Sequence, residues 1–97
     1  GCAEGAVMLS FERKRLKNIS EYIENAMALR EGEAMVCFSE KRDIVIKVVR
    51  SGGKLYANII DGKPSFSKIS NVEKFFKKLH GWIVRHKIHT CIIYSDV

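Results

Sequence analysis

Residues 48–66 read VVRSGGKLYANIIDGKPSF, with Gly-Gly-Lys set between two β-rich runs and Asp-Gly-Lys-Pro after the second. Two readings compete for these glycines: a loop that cradles phosphate, or the corners of a folded sheet. A Walker-type loop needs Gly, four residues, then Gly-Lys and Ser or Thr, leading from a strand into a helix. Here the residue five before Gly53 is Val48, Lys54 is followed by Leu55, and another strand-like run comes next. The glycines therefore supply positive φ for turns. With Gly52-Gly53 as a two-residue hairpin turn, Arg50 faces Leu55, Val48 faces Ala57 and Ile46 faces Ile59, which reads as the core side. The other side then carries Lys47, Tyr56 and Asn58 with Val45, Val49 and Ile60.

Working outward, AMVCFS at residues 34–39 is a third β-rich run. Paired with DIVIKVVR across Lys41-Arg42, it adds Val36 and Phe38 to the side opposite the core. That side is too apolar for water alone and calls for a cover, either a helix or a second copy of the chain. Asp61-Gly62 as a second tight turn places Phe66 opposite Ala57 and Pro64 opposite Ile59, so residues 63–67 form a short edge strand. IHTCIIYS at residues 88–95 is a last strand.

Two helical stripes flank these strands. Within residues 9–29, Leu16, Ile19, Tyr22, Ile23, Ala26 and Met27 recur three and four apart, with Ser10 as N-cap and Gly32 as stop. Glu12, Arg13, Lys14, Arg15 and Lys17 wrap the polar side of its first turns, where cations oppose the helix dipole and invite a functional reading. The second helix opens on the capping box Ser70-Asn71-Val72-Glu73. Its stripe is Val72, Phe75, Phe76, Leu79 and Ile83, with Gly81 inside it and Lys74, Lys77, Lys78 and Arg85 pointing elsewhere. The expected fold is α+β in the order α-β-β-β-(β)-α-β: a mainly antiparallel meander packed with two amphipathic helices.

The 97 residues suit one small domain over residues 8–97, preceded by an extension or expression remnant at residues 1–7. No apolar run spans a bilayer and no signal peptide is evident, so the expectation is a soluble cytoplasmic protein. Cys2, Cys37 and Cys91 are odd in number, widely spaced and without a C-x-x-C pair, which points to reduced thiols buried as small hydrophobes. His80, His86 and His89 lack metal-ligand spacing, although a set of His86, His89 and Asp96 is conceivable across the helix-to-strand junction. No nucleophile has an activating setting, and no cofactor or metal is expected.

Charge is unevenly spread. Net charge is +6; residues 1–43 carry −1 and residues 44–97 carry +7. Gathered on one continuous surface, such an excess favours an anionic partner. The order helix, three strands, helix over residues 9–86 resembles the double-stranded-RNA-binding domain in its succession of elements. Its second helix opens with Ser70-Asn71-Val72-Glu73 in place of that family's lysine-rich motif, and the strand after it is foreign to the family. The functional expectation is a non-catalytic binding domain for an anionic partner such as nucleic acid or an acidic protein. Its candidates are Lys47, Lys54, Tyr56, Lys74, Lys77, Lys78 and Arg85, with Arg13, Lys14, Arg15 and Lys17 as a second patch. The alternative is a protein-interaction, inhibitor or homodimerising module using Val36, Phe38, Val45, Val49 and Ile60. A small enzyme or metal site at the histidines comes third.

Overall fold

The β3–β4 hairpin, Val45–Ser51 and Lys54–Ile60, adopts the expected register: Val48 opposes Ala57, Ile46 opposes Ile59 and Arg50 opposes Leu55. Gly52 and Gly53 turn it with φ of 62° and 77°, a region that a side chain makes costly. The computed structural model describes residues 11–41, 44–60 and 66–95. The expectations that fall on residues 1–10, Arg42, the Asp61-Gly62 turn, Pro64 and Asp96 lie outside the described residues.

The other elements are β1 Phe11–Arg15, α1 Ile19–Met27, β2 Glu33–Phe38, β5 Ser67–Ile69, α2 Val72–Arg85 and β6 Thr90–Ser95. All six strands join one open sheet in the order β1-β6-β2-β3-β4-β5, and every neighbouring pair is antiparallel. β1 and β2 therefore run in the same direction with β6 inserted between them. The fold class is as expected, α+β with a meander through β2 to β5, and no helix among the described residues is long and apolar enough to cross a membrane.

Both helices lie on one face of the sheet. Met35, Cys37, Ile46, Val48, Leu55, Ala57 and Cys91 project from the strands into a single buried cluster with Tyr22 and Ala26 of α1 and Phe76 and Ile83 of α2. The two helices meet where the rings of Tyr22 and Phe76 are 5.9 Å apart. The Tyr22 hydroxyl donates to the carbonyl of Ile88, tying α1 to the α2–β6 connection, and burial pushes its pKa up to about 12.

Four details differ from expectation. The first helix starts later: Phe11–Arg15 is a strand, because β6 lies inside the sheet and needs a second partner. The helix begins only where Asn18 Oδ1 accepts from Glu21 N at 3.1 Å and the Glu21 carboxylate accepts from Lys17 N. The cap of α2 is Asn71, accepting from Lys74 N at 2.9 Å, one residue beyond Ser70. β5 pairs Ala57 with Ser67, one residue out of the expected register, which sends Ile69 to the core side and leaves Phe66 50% exposed. Finally, Cys37 and Cys91 are not free thiols: they face each other across β2 and β6 and form a disulfide.

The glycine turn does hold an anion, but an internal one. The Glu31 carboxylate accepts from Gly52 N at 2.6 Å and Gly53 N at 2.9 Å. The Arg50 guanidinium bonds the carbonyls of Leu29, Met27 and Gly53, fastening the end of α1 to the same turn. Those amide donors, with Arg50 beside them, hold the Glu31 carboxyl below its ordinary value. A lowered folded pKa stabilises the fold above the unfolded pKa, and that contribution is lost as pH falls through the folded value. Glu31→Gln should therefore flatten the acid-side decline of Tm, read by thermal melts across a pH series.

Candidate functional site

With both helices on one face, the opposite face of the sheet is uncovered by any described helix. Of the two covers expected, a helix or a second copy of the chain, no described helix supplies the first: the apolar stripes of α1 and α2 both face the other side. Strand pairing arranges the outward residues in three transverse rows. The first runs Tyr94, Ala34, Val49, Tyr56, Lys68; the second Arg13, Ile92, Val36, Lys47, Asn58; the third Arg15, Thr90, Phe38, Val45, with Ile60 next in register.

The chemistry of the rows is uneven. The middle of the sheet is aliphatic and half-buried, through Val36, Val45, Val49 and Ile92. Tyr94 and Tyr56 stand on either side of it, three strands and so about 14 Å apart. Ala34 between them is fully buried. Cations border the face, Arg13 and Arg15 on β1 and Lys68 on β5, with Lys54 in the same alternation at the hairpin tip. Lys47 alone stands in the centre, its Nζ 5.8 Å from the centre of the Tyr94 ring. Among the described residues, no strand position on this face carries an acid; Glu12 and Glu33 fall on the helix side.

The candidate cations do not form the single continuous surface expected of them. Lys47, Lys54 and Tyr56 share the open face. Lys74, Lys77, Lys78 and Arg85 are exposed on α2, which packs against the other side of the sheet, and Lys77 is paired with Glu73 at 3.6 Å. The second patch also divides, because it lies on a strand and not on a helix. Arg13 and Arg15 join the open face, Lys14 points to the helix side beside Glu12 at 3.5 Å, and Lys17 lies in the β1–α1 connection. The interface candidates Val36, Phe38, Val45 and Val49 all stand on the open face as expected.

Sequence reasoning missed Tyr94, Ile92, Thr90 and Lys68 as parts of this surface. FERKR carries no alternation of apolar and polar residues to mark β1, and the face of β6 follows only from its place between β1 and β2. The histidines are dispersed: His80 is exposed on α2, His86 caps that helix with its ring 5.5 Å from Trp82, and His89 precedes β6. No group of three or more potential metal ligands assembles among the described residues.

No protein-family model, no curated protein and no solved structure matches the chain, so the functional reading rests on this geometry.

Proposed function

We propose that this protein is a small non-catalytic binding domain whose open sheet face meets nucleic acid. The observation that carries the reading is the composition of that face: Arg13, Arg15, Lys47, Lys54 and Lys68 set around Tyr56 and Tyr94, with no acid at a described strand position. Every base offers a π-face to an aromatic ring, and backbone phosphates are drawn to the cations around it. The lack of an acid at the described strand positions of this face also avoids repulsion that would offset those contacts.

Binding through such a surface depends on counterion release. For three to five neutralised phosphates on a single strand, the logarithm of affinity should fall against the logarithm of salt with a slope of about −2 to −3.5. Fluorescence anisotropy with labelled oligonucleotides over a salt series measures it, and no binding, or binding indifferent to salt, contradicts the reading.

A second reading has its own observation, the half-buried aliphatic strip of Val36, Val45 and Val49 beside Phe38. On that reading the face closes against a second copy of the chain or another protein. Light scattering then gives a dimer mass that Val45→Asp returns to the monomer.

A further inference from the structure

The helix side of the sheet has a cavity of its own. It measures about 370 Å³ and lies between the start of α1 and the last turns of α2. Leu16, Tyr22, Ile83 and Ile88 line it and are all buried, so they form its floor, with Ile19 and Val84 beside them. Tyr22 brings the one polar group among these side chains, and its hydroxyl is already bonded to the Ile88 carbonyl. Such a floor suits a hydrocarbon body that asks for no hydrogen bond.

The charge around it is of one sign. Arg15, Lys17, His80 and Lys87 line the same cavity and are exposed, so they stand at its mouth, and no acid lines it among the described residues. Glu21 and Glu40 touch this rim but are engaged. Glu21 accepts from Lys17 N, which caps the start of α1 from within, and Glu40 is paired with Lys87 Nζ at 3.3 Å. Arg15 and Lys17 have no ion pair among the described residues.

Lys87 adds an independent observation. α2 ends in a Schellman motif, in which Lys87 N bonds the Val84 carbonyl at 3.3 Å and Ile88 N bonds that of Ile83 at 3.0 Å. The motif holds Lys87 at φ 53°, where glycine is the ordinary occupant, and no other non-glycine residue among those described has a positive φ. Glycine would serve the turn better; what the lysine adds is a cation at the mouth of the cavity.

We infer that this cavity holds a small anionic amphiphile, with its aliphatic chain against Leu16, Ile83 and Ile88 and its head group among Arg15, Lys17 and Lys87. The inference stands apart from the nucleic-acid reading, because the cavity floor belongs to the buried cluster on the helix side of the sheet.

The test is a titration of labelled protein with octanoate, followed by backbone amide chemical shifts. Changes should centre on Leu16, Ile19, Val84 and Ile88 and saturate with a Kd of about 0.1–1 mM. 1-Octanol has the chain without the charge and should bind about 10-fold more weakly, and acetate, the head group without the chain, should leave these amides still. Lys87→Gly should melt at or above the wild-type temperature yet bind octanoate about 3- to 10-fold more weakly, a pair of opposite signs that a purely structural lysine would not give. Val84→Glu changes a residue that is 63% exposed, so the fold tolerates it, and should weaken octanoate about 10-fold by setting an acid beside the chain. Equal affinity for octanoate and 1-octanol, or wild-type affinity in both variants, overturns the inference. So do shifts centred on Val36, Val45 and Val49 of the open face, or binding confined to vesicles of anionic phospholipid with no response to octanoate. None of these outcomes bears on the nucleic-acid reading, whose test is the salt slope of oligonucleotide binding.

Discussion

If the open face meets nucleic acid as proposed, Lys47→Glu should weaken binding of a single-stranded oligonucleotide by about 100-fold. The lysine stands in the centre of the open face between Val36 and Asn58, with its ammonium over the Tyr94 ring. A charged hydrogen bond contributes about 1.5–3 kcal/mol, and placing a carboxylate there adds repulsion toward the backbone it formerly attracted. Tyr56→Ala and Tyr94→Ala each remove a stacking platform, at about 1–3 kcal/mol per base. The informative control is Lys77→Ala with Lys78→Ala on α2. That variant also loses positive charge, but from the far side of the sheet, and anisotropy should return nearly the wild-type affinity. If it loses as much as Lys47→Glu, net charge is the agent and the face is not.

Phe76→Ala has the largest expected effect on stability, a loss of about 3–5 kcal/mol. The ring is fully buried where α2 meets the sheet, 5.9 Å from the Tyr22 ring and 5.0 Å from that of Phe75. Because both helices share one face, this layer is the core of the domain, and no second layer backs it among the described residues. Small domains have about 5–15 kcal/mol in total, so the variant uses a large part of it. Urea denaturation followed by circular dichroism should show a much lower midpoint. A cost under about 1 kcal/mol would mean that the α2 layer is not packed as described.

The parts of the fold legible in the sequence were those fixed by contacts near in sequence. Two glycines at a hairpin corner set the β3–β4 register, and once Ile46 and Val48 are buried, the faces of Lys47 and Tyr56 follow from alternation alone. The stripe of α2 was legible because Phe76 and Ile83 recur at helical spacing over an uninterrupted run. Residues 11–15 were not, since FERKR supports a polar helical turn as readily as an edge strand. The deciding fact is the need of β6 for a partner across some eighty residues of chain. The disulfide has the same origin, for Cys37 and Cys91 become neighbours only when β6 enters the sheet between β1 and β2. The candidate site was therefore half visible. Its lysine and tyrosine on the hairpin could be placed, whereas Tyr94 and the arginines of β1 required the strand order.

The most direct test of the open face as the nucleic-acid interface is a titration of labelled protein with a single-stranded oligonucleotide, followed by backbone amide chemical shifts. The largest changes should fall on Arg13, Lys47, Tyr56, Ile92 and Tyr94, with the amides of Lys74, Lys77 and Lys78 nearly still. Changes centred on α2, with the six strands unmoved, would contradict it.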